Sequence, residues 1–225
     1  MVSSKLKAVC PALKINRSYW VFVWVLIAAC KGGHTDERLP FYNTADFTAQ
    51  WIGPADKAYS SIHTIDSFAL IDQSGNLYTA DSLKGKIYTA NFFFTICPSI
   101  CPKMMYNLKS LQDSFLTNNN VRLVSFSVMP RVDSVKKLAA YGESMSIDPQ
   151  KWHLLTGNIE RINTLGRQSF FAEKKPGLQK NITEFLHTEA LLLIDKQARI
   201  RGIYNATLAS DITRVANDIR ILLSE

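Results

Sequence analysis

Residues 87–102 form the stretch IYTANFFFTICPSICP, an apolar run followed by two cysteines and two prolines. Its first eight residues are β-branched, aromatic or small, which is typical of a buried strand, and residues 103–116 have the apolar periodicity of a helix. Cys97 and Cys101 therefore lie where a strand ends and a helix begins. Pro98 and Pro102 suit that position, provided that Pro102 falls in the first helical turn.

A cysteine at the start of a helix has distinctive chemistry. The free N–H groups and the helix dipole stabilise negative charge there, so the pKa of the thiol falls and the thiolate becomes available as a nucleophile or a metal ligand. The C-x-x-x-C spacing places the two sulfurs about one helical turn apart, within reach of a disulfide or of one shared metal ion. The spacing alone allows both chemistries.

The rest of the chain alternates strands and helices. A hairpin is predicted over residues 68–79, strands over 121–128 and 152–155, helices over 134–143 and 159–170, and a second hairpin over 190–194 and 199–204, before a final helix that Ser210 would cap. Strand–helix alternation favours parallel pairing with right-handed crossovers. We predict an α/β protein of thioredoxin-like fold: a central mixed β-sheet flanked by helices, with an N-terminal hairpin extension.

The first residues have the pattern of a targeting signal. Residues 20–29 are an unbroken run of ten apolar residues after a basic stretch, too few to span a bilayer and typical of a signal-peptide core. The sequence IAAC that ends at Cys30 resembles a bacterial lipobox. We predict a lipoprotein signal peptide at 1–29, lipidation of Cys30, a tether and lead-in segment at 30–61, which Phe41, Phe47 and Trp51 could dock on the body, and a domain at 62–225.

Composition limits the partners of the protein. The chain has 225 residues, 47% of them hydrophobic and 20% charged, which suits one well-cored domain with an appendage. Its formal charge of +7 includes four basic residues in the first 29 positions, which carry no acid. Without that segment the excess of positive charge is small, so we expect no nucleic-acid partner. The mature chain would keep only Cys97 and Cys101 as thiols, because Cys10 leaves with the leader and Cys30 carries lipid.

Residues 92–102, FFFTICPSICP, resemble the strand-to-helix motif of the Sco/SenC copper-chaperone family, and the resemblance extends from about Phe68 to the C-terminus. It implies a thioredoxin-like fold and a copper ion, Cu(I) or Cu(II), as the bound metal. It also implies that His187, in the His-Thr pair before a late strand, is the third ligand beside Cys97 and Cys101. Two thiolates and an imidazole suit copper, and would also hold zinc.

Some positions depart from the family pattern. Ser99 and Leu186 stand where acidic residues are common, and Met129-Pro130 replaces Asp-Pro, with Asp133 retained further on. These changes reduce the charge near the site. His34, His63 and His153 are expected to be solvated or structural, and Met104 and Met105 to be core residues of the helix.

Three functions follow from the resemblance and the cysteines. The first is a metallochaperone that delivers copper to the copper-site subunit of cytochrome c oxidase, or exchanges it with another copper donor or acceptor. The second is a thiol–disulfide oxidoreductase in which Cys97 attacks and Cys101 resolves, served by a thioredoxin-like reductant. The third is a redox or copper sensor. Whether the protein is an enzyme stays open. In each case we expect a lipid anchor to a membrane of the bacterial cell envelope, with the domain facing the periplasm or the exterior.

Overall fold

The computed structural model describes residues 38–172 and 188–225. The predicted leader, the predicted lipidation site Cys30, His34, Leu186 and His187 lie outside the described residues. Arg38–Glu225 forms one compact unit. No helix in the described part of the chain is both long and apolar enough to cross a bilayer.

The strands along the chain are β1 (Phe41–Tyr42), β2 (Ala49–Gln50), β3 (Ala69–Ile71), β4 (Leu77–Thr79), β5 (Ile87–Phe93), β6 (Val121–Ser127), β7 (Trp152–Leu155), β8 (Ala190–Ile194) and β9 (Ile200–Asn205). The α-helices are α1 (Ile100–Ser114), α2 (Val135–Ser144), α3 (Ile159–Thr164) and α4 (Ala209–Ser224). Short 3-10 turns cover Lys57–Ser61 and Ala80–Leu83.

The central sheet of the described residues has five strands in the order β7-β6-β5-β8-β9. The pairs β5–β6 and β6–β7 are parallel, whereas β5–β8 and β8–β9 are antiparallel. Every residue of the middle strand β5 is buried, because both faces of the sheet are covered and the strand is apolar throughout. The structure confirms the predicted mixed sheet, in which helices connect the parallel strands.

Each face of the sheet has its own hydrophobic core. On one face α1, α2 and α4 pack with Phe93 and Leu123, and on the other β3, β4 and α3 pack with Phe92 and Phe126. Met104 and Met105 are fully buried in the first core, which confirms their prediction as core residues. The helix α1, which begins just after β5, therefore lies on the same face of the sheet as α2 and α4.

The predicted N-terminal hairpin is β3–β4, and it joins the edge of the central sheet. Ile71 forms a bridge with Thr156 just beyond β7. The side chain of Gln73 donates to the carbonyl of Trp152 at 2.7 Å and accepts from the N–H of Leu154 at 2.8 Å. These bonds connect the turn of the hairpin to β7.

The lead-in segment from residue 38 packs on β9. The ring of Phe41 is buried beneath the guanidinium groups of Arg199 and Arg201, whose carbon atoms lie 4.8 and 4.3 Å from the ring centroid. Arg201 also donates to the carbonyls of Leu39 and Pro40. Phe41 docks as expected, whereas the expectation for Trp51 is wrong, since its side chain is 71% exposed. The predicted domain boundary at residue 62 stays a prediction.

Three predicted helix boundaries differ from the structure. The helical pattern at residues 103–116 corresponds to α1, which begins earlier, at Ile100, and ends at Ser114. Pro102 therefore lies in the first turn, where a proline is tolerated. The helix predicted at 159–170 ends at Thr164 and widens into a π-turn at Leu165–Ser169, closed by the N–H of Phe170 donating to the carbonyl of Leu165. Ser210 is not a cap: Leu208 occupies the N-cap position, and its carbonyl accepts from Asp211 and Ile212.

Candidate functional site

The site is built at the end of β5, where the central strand meets the first helix. The N–H of Cys97 donates to the carbonyl of Phe94 in the turn that follows the strand, at 3.3 Å. Ser99 is the N-cap position of α1, and Cys101 is the second residue of that helix. Both cysteines are free thiols, only 6% and 3% exposed. The strand end, the turn and the first helical turn thus bring the two predicted ligands together.

The two thiols have different tendencies to ionise. Burial opposes ionisation of Cys97, but hydrogen bonds from the thiol of Cys101 and from the backbone N–H groups of Ser99, Ile100 and Cys101 outweigh it and lower the pKa of Cys97. Burial, and then the hydrogen bond to Cys97, raise the pKa of Cys101 to about 12. Because the helix start supplies its N–H groups to Cys97, this sulfur is the one stabilised as a thiolate.

Asp133 holds the turn that precedes the cysteines. Its carboxylate is fully buried and accepts from the N–H of Thr95 at 3.1 Å and from the Thr95 hydroxyl at 2.5 Å. It also accepts from the hydroxyl of Ser127, at the end of β6, at 2.6 Å. A buried carboxylate needs such donors, and here they join the ends of two neighbouring parallel strands. Asp133 was noted in the sequence only as a retained family residue, and its contact with Thr95 depends on the pairing of β5 with β6.

Tyr141 is a further residue of the site that the sequence did not reveal. Its ring lies 5.9 Å from that of Phe93, at the end of β5. Burial, followed by the negative charges of Cys101, Cys97 and Asp133, raises its pKa to about 12. The phenol therefore stays protonated near the sulfurs. No sequence signal marked it, because its nearness to the cysteines arises only when α2 packs beside α1 on the same face of the sheet.

The predicted third ligand, His187, lies outside the described residues, but its neighbour in sequence does not. The hydroxyl of Thr188 accepts from the N–H of Ala190, the first residue of β8, at 3.1 Å. Since β8 is antiparallel to β5, with Leu191 opposite Asn91, the start of β8 and the end of β5 lie at the same edge of the sheet. Thr188 is therefore on the cysteine side of the domain.

The two histidines within the described residues have structural contacts. The Nε2 atom of His63 is 2.8 Å from the carbonyl of Ser169, and its ring lies on Phe171. His153 lies against Tyr78, with its Nδ1 atom 3.7 Å from the carboxylate of Asp72. Within residues 38–172 and 188–225 there is no group of three or more histidine, cysteine or acidic side chains arranged to hold a metal ion.

Similar proteins place these features in a family. The family model described as SCO1/SenC matches residues 56–224. A solved SCO1/SenC family lipoprotein from Bacillus anthracis is 29% identical, with a TM-score of 0.63 over 72% of this chain and 95% of its own. BsSco, with an identified disulfide switch and described as a member of the Sco family of cytochrome c oxidase assembly proteins, is 28% identical, with a TM-score of 0.61 over 72% and 95%.

Arabidopsis thaliana ScoI, solved with copper bound, is 27% identical to this chain, with a TM-score of 0.55 over 69% of this chain and 97% of its own. The likeness to these structures confirms the thioredoxin-like fold that the strand and helix order predicts. The family model spans the whole central sheet, both cysteines and the final helix. The chain therefore belongs to the SCO1/SenC family.

Proposed function

We propose that this protein binds copper through Cys97, Cys101 and His187 and delivers it to the copper-site subunit of a respiratory cytochrome c oxidase during assembly. The observation that carries the proposal is the pair of buried free thiols at the start of α1, in contact with each other, in a chain of this family. Soft thiolate sulfurs bind Cu(I) well, and an imidazole completes a set that accepts either Cu(I) or Cu(II).

The surroundings of the cysteines suit a metal that must be released again. The lowered pKa of Cys97 favours its thiolate, the form that binds copper, whereas Cys101 holds its proton until a metal displaces it. An acceptor thiolate can then replace the protein ligands one at a time. His187 as the third ligand is supported by the position of Thr188 at the cysteine end of the sheet. Copper as the bound metal is supported by the copper-bound structure of the Arabidopsis relative.

The different pKa values of the two thiols also favour a second function, thiol–disulfide exchange. The Cys97 thiolate would attack a partner's disulfide, and Cys101 would resolve the mixed disulfide. In that reaction two electrons pass to the partner, which leaves with two thiols, while Cys97 and Cys101 become a disulfide. BsSco has a disulfide switch, and a thioredoxin-like reductant would restore the thiols here.

We also propose that Cys30 is lipidated and tethers the domain to a membrane of the bacterial cell envelope. The proposal rests on the lipobox-like sequence before Cys30 and on the lipoprotein among the similar structures. A tether of this kind would hold the copper site near a membrane-bound acceptor.

The two functions are separated by comparing His187→Ala with Cys97→Ser in copper retention and in reduction of a disulfide substrate. Under the copper proposal, His187→Ala weakens copper retention at least about tenfold, since even a residue behind a metal ligand commonly contributes that much. His34→Ala, the same change in the predicted tether, is the matched control. If His187→Ala retains copper as the wild type does and only Cys97→Ser loses activity, the three-ligand assignment is wrong and the redox function stands.

A further inference from the structure

The surface around Cys97 carries positive charge that the copper site does not use. Besides the half-buried Glu189 before β8, which adds one carboxylate on this side of the domain, two described segments form it: residues 94–103, which contain both cysteines, and residues 128–137, which follow β6. Asp133 joins them through its hydrogen bonds to Thr95. Their charged side chains are Lys103, Arg131, Asp133, Lys136 and Lys137. The single carboxylate in this set is fully buried.

Three of these cations, Lys103, Arg131 and Lys136, are exposed, and we call them the basic rim. None of them forms an ion pair in the part of the chain that the structure describes. Lys103 lies in the first turn of α1, Arg131 in the turn after β6, and Lys136 in the first turn of α2. All three follow the carboxyl ends of the neighbouring parallel strands β5 and β6, so they lie at the same end of the sheet as the cysteine turn.

Apolar side chains occupy the middle of this surface. Ile96 is 53% exposed immediately before Cys97, and Pro98 and Pro102 are exposed on the other side of that thiol. More than half of Ile96 is therefore open to solvent beside a nearly buried sulfur. An apolar centre within a polar, charged rim is the usual composition of a protein–protein interface.

We propose that the basic rim, together with Ile96, is the docking surface for a partner protein whose own thiol or copper site is bordered by carboxylates. The inference deepens the proposed function, on which it rests, by naming the charge of the partner. A thiolate or copper ion is exchanged only with a group that approaches the sulfur of Cys97 closely, and a flat anionic lipid surface offers no such group. Complementary charge would speed that encounter and orient it.

The test uses the protein from Lys31 to Glu225, which contains the complete compact unit, in its reduced form. The probes are two synthetic peptides with an internal Cys-x-x-x-Cys disulfide, one flanked by about four glutamates and the other by the same number of glutamines. Cys97 attacks the peptide disulfide and Cys101 completes the exchange, so the peptide gains two electrons and leaves as a dithiol. The second-order rate constant is measured in low salt and in high salt.

We expect the acidic peptide to react about tenfold faster than the neutral one at low ionic strength, and high salt to remove most of the difference. The combined variant Lys103→Glu, Arg131→Glu, Lys136→Glu should lose the preference. The matched control is Lys84→Glu, an exposed lysine before the start of β5 and therefore at the opposite end of the sheet. This control should keep the preference.

Equal rates for the two peptides, or an effect of Lys84→Glu as large as that of the triple variant, would overturn the proposal. So would sedimentation with phosphatidylglycerol vesicles that the triple variant alone abolishes, because the surface would then be a membrane contact. A copper titration separates this proposal from the function itself. If the wild type binds no copper yet prefers the acidic peptide, the copper function fails and the docking surface stands.

Discussion

Replacing Asp133 by asparagine should destabilise the protein through the turn that carries Cys97. The carboxylate is fully buried and accepts three hydrogen bonds shorter than 3.2 Å, two from Thr95 and one from Ser127. Hydrogen bonds to a charged acceptor contribute about 1.5–3 kcal/mol each. The asparagine side chain keeps one oxygen that can accept a hydrogen bond. Its NH2 group replaces the other oxygen and faces Thr95 or Ser127, which donate to the carboxylate in the wild type.

Because the hydroxyl of Thr95 can rotate and accept instead, we expect only part of this energy to be lost. The free energy of unfolding should fall by about 2–4 kcal/mol, in line with the cost of leaving buried polar groups poorly paired. For a domain of this size, each 1 kcal/mol lowers Tm by about 2–4 °C. The expected decrease in Tm is therefore roughly 5–15 °C.

The assay is thermal unfolding followed by circular dichroism at pH 7, with Asp81→Asn as the control. Asp81 pairs with Lys84 in a fully solvated position, where an ion pair contributes at most about 1 kcal/mol. The turn before Cys97 should also become less ordered, so copper retention by Asp133→Asn should fall relative to the control. A Tm for Asp133→Asn within a degree or two of the wild type would refute the assigned role of the carboxylate.

Two more predictions concern the thiols and the lead-in segment. Because the pKa of Cys97 is lowered and that of Cys101 is raised to about 12, brief iodoacetamide treatment at pH 7 should label Cys97 first, as mass spectrometry would show; preferential labelling of Cys101 would contradict the assignment. Phe41→Ala should lower the free energy of unfolding by about 3 kcal/mol, whereas the exposed Trp51→Ala should change it by under about 0.5 kcal/mol in denaturant titrations. Similar losses in both variants would show that the segment is not held by Phe41.

The parts of the fold that could be predicted from the sequence are those with strong local patterns. The strand β7 matches its predicted bounds, and β5 differs by one residue, because an apolar run bounded by polar turns leaves little choice. The position of Cys97 and Cys101 at the junction of a strand and a helix could also be predicted, because the two cysteines closely follow the apolar strand β5. The resemblance of this motif to the family then predicted the copper ligands.

Features that depend on tertiary contacts could not be predicted. Ser210 is not the cap of the last helix because the helix begins at Ala209, which makes Ser210 its second residue. The carboxylate of Asp211 accepts from the N–H of Asn205, the last residue of β9. The full burial of Asp133 follows from parallel pairing of β5 with β6. The approach of Tyr141 to the thiols requires two helices to pack on one face. None of these contacts produces a periodic pattern of apolar and polar residues in the sequence.

The central claim is that copper is held by Cys97, Cys101 and His187, and X-ray absorption at the copper edge tests it most directly. The Cu(I)-loaded protein from Lys31 to Glu225 should give a spectrum fitted by two sulfur scatterers and one imidazole nitrogen. His187→Ala should lose the nitrogen and keep the sulfurs, while Cys97→Ser and Cys101→Ser should each lose one sulfur. A copper ion with a single sulfur neighbour in the wild type, or a spectrum unchanged in His187→Ala, would contradict the account.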